Sequence, residues 1–171
     1  MKQVILDTSF LITLANQRND RPNHATAVEY FRHCVTNQIP MWVSSVAAGE
    51  FQVGQPVTDL PLQNFQTLSY SWMHALRAAD FYKEISRDKV SKEGSRTIII
   101  NDLKIIAQAA EEKIPLILTE DEDTLSKMVA RLRKAGLTEV DVILLSDGFS
   151  PDRFIDPAQK TLGLTSEGNP V

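Results

Sequence analysis

Cysteine is nearly absent. Cys34 is the single one in a chain of 171 residues, so an internal disulfide is excluded, and with it the small secreted folds stapled by disulfide frameworks. The expected compartment is therefore the reducing cytosol. Histidine is scarce as well: His24, His33 and His74 are scattered, and no Cys/His set has zinc-ligand spacing. A P-loop and a glycine-rich dinucleotide fingerprint are both missing. No apolar run is long enough to span a membrane. Lys2 and the apolar stretch behind it superficially resemble a secretion signal, but Asp7 interrupts the stretch and no small-x-small cleavage site follows Leu14. An excess of basic residues is lacking too. The formal net charge is −4, which argues against binding nucleic acid by bulk attraction, since that depends on Lys and Arg neutralising phosphates. Any such role has to be local.

What the chain does have is the make-up of one ordinary globular domain, with 43% hydrophobic and 23% charged residues. Residues 4–6, Val-Ile-Leu, read as a buried strand ending in the polar tip Asp7-Thr8-Ser9. A short helix is expected over 10–17, then a breaker-rich turn over 17–22. The spacing of Ala25, Val28, Phe31 and Val35 predicts an amphipathic helix over 23–36 with that face buried. Met41–Val43 is a strand, and Ser44 or Ser45 caps a helix through Phe51 that ends near Gly54. Residues 56–61 form a loop, and Phe65–Tyr70 alternates well enough for a short edge strand. Trp72, Leu76, Ala79, Tyr82 (with Phe81) and Ile85 follow helical spacing and predict a helix of about four turns from Trp72 to about residue 88. A mildly basic connection follows. Thr97–Ile100 is a β-branched run leading into Asn101-Asp102, where a helix opens with Leu103, Ile106, Ala109 and Ala110 on one face. Leu116–Leu118 is a buried strand, a helix reaches Lys134 and stops at Gly136, and Val140–Leu145 is the last strand. Strands alternating with helices argue a parallel α/β sheet flanked by helices. The domain is expected to occupy 1–155, with 156–171 a partly disordered tail rich in Pro, Gly and polar residues.

Four acidic residues fall where an open α/β sheet places its ligands, at the carboxyl ends of strands. They are Asp7 after the first strand, Glu50 on the helix after the second, Asp102 at a helix start, and Asp121 after the strand at 116–118. Each has a plainer account. Asp7, Thr8 or Ser9 would cap a short helix, Asp102 would serve as an N-cap, Asp123 would cap the helix beyond it, and Glu50 would sit on an exposed helix face. Gathered together, however, such carboxylates suit hard cations, because Mg²⁺ and Mn²⁺ take oxygen ligands. No Ser-His-Asp or Cys-His arrangement offers a protein nucleophile, so hydrolysis by metal-activated water is the simplest enzymatic reading.

The ordered set Ile5-Leu6-Asp7-Thr8-Ser9, Val43–Phe51, Asp102–Ala109, Leu118–Asp123 and Ser150–Phe154 resembles the PIN-domain nucleases, and among them the VapC-type ribonuclease toxins. The resemblance spans roughly residues 3–155. It implies a Rossmann-like parallel sheet in an α/β/α sandwich whose acidic pocket binds one or two Mg²⁺ or Mn²⁺ ions and cuts RNA, leaving 5′-phosphate and 3′-hydroxyl ends. Asp7, Glu50, Asp102 and Asp121 match the family's acidic positions. Thr8, Ser9 and Thr119 fall where it uses small polar residues to orient them, and Asp123 falls on a second acid that some members carry in that loop. Thr124-Leu125 departs from the aromatic the toxins often have after the last acid, and the chain is longer than compact members. The implied partners are an RNA substrate, a cognate antitoxin protein and a second copy of the chain, with no membrane. Lys89, Lys92 and Lys104 in the basic segment are the candidate phosphate contacts.

Two further readings compete. A non-catalytic PIN-like module that binds RNA or protein would keep the fold without the chemistry. A phosphoacceptor receiver domain also places acids at strand ends, but it expects adjacent acids at the first strand and a lysine closing the last, where this chain has Asp7-Thr8 and Ser146-Asp147.

Overall fold

The computed structural model describes residues 2–16, 18, 20–86 and 96–155. Five strands form one parallel sheet: β1 (Val4–Leu6), β2 (Met41–Ser44), β3 (Gln66–Leu68), β4 (Leu116–Thr119) and β5 (Asp141–Leu144). Their order across the sheet is β3-β2-β1-β4-β5. β1 is central, with Ile5 aligned to Trp42 on one side and to Ile117 on the other. A strand covered on both faces reads as an unbroken apolar run, and Val4, Ile5 and Leu6 are all fully buried. The chain steps outward from β1 to β2 and β3, then crosses back to lay β4 on the opposite side of β1. The reversal leaves a crevice at the carboxyl ends of β1 and β4, the place where sheets of this kind bind ligands.

Among the described residues, six helices accompany the strands: α1 (Thr8–Leu14), α2 (His24–Thr36), α3 (Ser45–Gly54), α4 (Trp72–Ile85), α5 (Arg96–Glu111) and α6 (Leu125–Lys134). Short 3-10 turns occupy 57–59, within the loop expected at 56–61, and also 62–64, 145–147 and 151–154. Gly136, at φ +69°, adopts the left-handed conformation that ends α6 after its last turn. Tyr30 ties the end of the described chain to α2, its hydroxyl donating to the Gly148 carbonyl at 3.0 Å and accepting from the Ser150 N–H at 3.0 Å.

The helices expected from periodicity are present, but several details differ. α1 begins at Thr8, directly after Asp7, and ends at Leu14. In α2 the buried face is Ala27, Tyr30 and Cys34, whereas Ala25 is exposed and Val35 is 43% exposed. Burial pushes the Cys34 thiol up to about 12, so it is an inert packing residue. In α4 the core takes His74, Ala78 and Phe81, while Trp72 is 77% and Leu76 48% exposed and Ala79 also faces solvent. The first half of the expected stripe therefore lies outward, while Phe81, Tyr82 and Ile85 pack on the core. α5 starts at Arg96 rather than at Asn101-Asp102. Leu103, Ile105, Ile106, Ala107, Gln108 and Ala109 are all buried, so its middle is enclosed nearly all round, and the β-branched run at 97–100 forms its first turn rather than a strand. The predicted tail at 156–171 and Lys89 and Lys92 lie outside the described residues.

Candidate metal centre

Asp7 is both the helix cap and a buried acid. It is the N-cap of α1, in extended backbone at φ −75° and ψ 159°, and its side chain is 4% exposed. Three donors converge on its Oδ2: the Ser9 hydroxyl at 2.6 Å, the Thr119 hydroxyl at 2.8 Å and the Ser9 N–H at 3.3 Å. Burial raises the Asp7 pKa from its ordinary value, and the bonds from Ser9 and Thr119 oppose that rise. Ser9 and Thr119 are thus joined to each other, at 3.0 Å, and to the acid they orient. The same two hydroxyls accept the Glu120 and Asp121 N–H groups, both at 2.9 Å, which fixes the loop after β4 against the end of β1.

Glu50 is held by both of its oxygens. Thr8 Oγ1 donates to Oε2 at 2.6 Å, and Asn101 Nδ2 donates to Oε1 at 2.7 Å. It is therefore not an idle charge on an exposed helix face. Asn101 is a contributor that reading the sequence missed, and its one local signal was its place directly before Asp102. Lys104, one turn on, donates to Asn101 Oδ1 at 3.0 Å.

Asp102 lies inside α5, one turn past its first residues, and so caps nothing. It is 8% exposed, and its Oδ2 is the one buried side-chain polar atom without a hydrogen-bond partner among the described residues. Burial, and after it the charges of Asp7, Asp121 and Glu50, push its pKa up to about 8. The four acids singled out by their positions after strands thus share one electrostatic environment.

The remaining acids of the loop after β4 divide. Asp121 Oδ1 accepts from the Thr124 N–H at 2.8 Å, shaping the turn into α6. Glu120 is turned away from the cluster: Thr13 donates to it at 2.6 Å, Asn23 at 2.8 Å and Arg21 at 3.3 Å. Asp123 is 90% exposed and pairs with Lys127 at 2.7 Å on the outside of α6. It neither caps that helix nor belongs to the charges that act on Asp102.

The donor chemistry suits a hard cation. An unpartnered, buried carboxylate oxygen surrounded by three further carboxylates has an acute deficit of positive charge, and oxygen-only ligands favour Mg²⁺ or Mn²⁺ over zinc. Among the described residues, no three His, Cys, Asp or Glu side chains already converge in ligand geometry. Glu50 rests instead on Thr8 and Asn101, and Asp7 on Ser9 and Thr119.

The family model for the PIN domain matches residues 4–131, and the chain belongs to that family. No curated protein matches it significantly. Among solved structures, it is similar to a chain of VapBC2 from Rickettsia felis, solved bound to a DNA fragment from their promoter. The TM-score is 0.56 at 13% identity, covering 82% of this chain and 97% of that one. It is likewise similar to a chain of DNA-bound VapBC from Salmonella typhimurium, with a TM-score of 0.53 at 16% identity, covering 85% of this chain and 99% of that one. At such identities the likeness is one of fold, and it spans nearly the whole of both relatives. No helix among the described residues is long and apolar enough to cross a membrane.

Proposed function

We propose that the protein is a divalent-metal-dependent endoribonuclease and the toxin of a toxin–antitoxin pair. The observation that carries the reading is Asp102, a buried carboxylate with an unpartnered oxygen in the field of Asp7, Asp121 and Glu50. Such a cluster costs stability in the absence of a cation and is relieved by one. The PIN domain match supports nuclease chemistry, and the likeness to chains of VapBC complexes supports an antitoxin protein as the partner.

Asp7, Glu50, Asp102 and Asp121 are the residues that would hold Mg²⁺ or Mn²⁺. The ion would supply Lewis-acid activation of water and neutralise charge at the scissile phosphate. The chain's own residues do the positioning. Ser9 and Thr119 fix the rotamer of Asp7, Thr8 and Asn101 fix Glu50 from opposite sides, and the backbone of 120–121 hangs from the same hydroxyls. Asp102 keeps its proton at neutral pH while no cation stands beside it. The Ser9 and Thr119 hydroxyls are committed to Asp7 and no cysteine or lysine is among the four acids, which agrees with water as the attacking group.

The test is cleavage of a mixed RNA substrate with Mg²⁺ or Mn²⁺, against EDTA and against Asp7→Asn. The variant keeps the shape of the side chain and lowers the repulsion, so the fold is expected to survive while cleavage is lost. Activity that persists in EDTA or in the variant would overturn the metal mechanism, and a wild type that cuts no RNA would leave a binding module in its place.

A further inference from the structure

The carboxyl edge of the sheet carries a second set of side chains, beside the acids and chemically unlike them. β3 ends at Leu68 in register with Ser44, and the chain then turns through Ser69, Tyr70 and Ser71 into α4. This turn is pinned to the acidic edge, with the Tyr70 N–H donating at 3.1 Å to the hydroxyl of Ser45, the first residue of the helix that carries Glu50. The Lys104 ammonium lies 5.9 Å from the centre of the Tyr70 ring, and the same nitrogen reaches Asn101, which holds Glu50. Two residues beyond Tyr70, Trp72 opens α4 with 77% of its surface exposed, next to Met73 at 57%. A tryptophan left in water at a helix start forgoes the burial its size would reward. Lys104 has no carboxylate partner among the described residues; its ammonium donates to the neutral Asn101 side chain and lies against Tyr70, so its charge is not neutralised by a counter-ion.

Two aromatic residues in one turn, one of them with a lysine against its ring and a histidine 5.9 Å from it, connected to a cation-seeking acidic site through a single asparagine, match the chemistry of single-stranded nucleic acid. Bases of any sequence stack on aromatic faces, and a basic group follows the backbone. It also reconciles a net charge of −4 with a polyanionic substrate, because the attraction is confined to one edge. We propose that Tyr70, Trp72 and Lys104 form a platform for single-stranded RNA that seats bases on the two rings and a phosphate on the lysine, leading the strand to the acids. The identity of the strand as RNA rests on the ribonuclease reading, whereas the platform itself rests on the geometry of 68–72 and 101–104.

The experiment separates the two. Binding of a labelled 12-nucleotide single-stranded RNA and of the same sequence as a duplex is measured in EDTA, where no metal-dependent cleavage can occur, and cleavage is measured separately with Mn²⁺. Trp72→Ala is expected to weaken single-strand binding about tenfold or more, Trp72→Phe to recover most of it, and duplex binding to be weak throughout. Lys104→Ala is expected to lower the salt slope by about 0.7, one phosphate contact on a single strand. A wild type that binds the strand through Trp72 yet cuts nothing upholds the platform and removes the nuclease reading. A wild type that cuts RNA while Trp72→Ala binds and cuts equally well overturns the platform and leaves the nuclease standing. A change of oligomeric state in Trp72→Ala at unaltered RNA affinity also overturns the platform, showing that this edge receives protein.

Discussion

Asp102→Asn is expected to stabilise the protein in the absence of divalent ions, although it removes a residue of the proposed metal centre. In the folded chain the carboxyl titrates at about 8 against an ordinary 3.8. The folded pKa lies above the unfolded one, so the group's contribution to stability is fully present below about pH 4 and is lost as the pH rises through about 8. At about 1.4 kcal/mol per pH unit, the loss already reaches roughly 4 kcal/mol at pH 7. Asparagine has no charge to withhold and fills the same space, so it should return roughly half of that or more, and at 2–4 °C per kcal/mol for a chain of this size the melting temperature should rise by about 4 °C or more. The assay is thermal unfolding of both proteins in EDTA from about pH 4 to pH 9. The gap between them should be small at the acid end, widen with pH and level off above the folded value. Saturating Mg²⁺ should then stabilise the wild type more than the variant, because binding to the folded state adds to its stability. A variant no more stable than wild type at neutral pH, or a gap that does not change with pH, would refute the idea that Asp102 is a carboxylate awaiting a cation.

Two other substitutions probe the supports rather than the acids. Asn101→Ala frees one oxygen of Glu50 and is expected to lower apparent Mn²⁺ affinity by about 10- to 100-fold with a small change in melting temperature, the usual scale for residues that orient a ligand; an unchanged metal titration would show that Glu50 needs no such hold. Tyr30→Phe leaves the Gly148 carbonyl and the Ser150 N–H without the hydroxyl that serves both, and should cost about 1–3 kcal/mol in denaturant unfolding, whereas a neutral result would mean that water replaces the hydroxyl.

The parts of this fold legible in the sequence are those encoded by neighbours along the chain. β1, β2, β4 and β5 are short apolar runs next to turn signals, and the acids just beyond β1 and β4 could be placed at the ligand-binding edge from strand order alone. Periodicity found every helix but misplaced faces. In α4 the spacing caught Phe81, Tyr82 and Ile85, which pack on the core, but it also took in Trp72 and Leu76, which are exposed, and missed the buried His74 and Ala78. In α5 the β-branched stretch before Asp102 disguised a helix that α3, α4 and α6 enclose. The partners of Glu50 were invisible for a different reason. Thr8 and Asn101 lie 42 and 51 residues away in sequence, and no local pattern announces contacts at that range. Asp123, the second acid of that loop, pairs with Lys127 on the outside of α6, a contact that its place in the acidic run does not announce.

The account turns on the acids accepting a divalent ion, and calorimetric titration with Mn²⁺ in buffers of different ionisation enthalpy tests that directly. Since Asp102 holds a proton at neutral pH and a ligand must be deprotonated, the wild type is expected to bind Mn²⁺ with release of about one proton per chain at pH 7. Asp102→Asn should bind more weakly and release almost none. An absence of Mn²⁺ binding by the wild type, or binding with no proton release, would contradict the account.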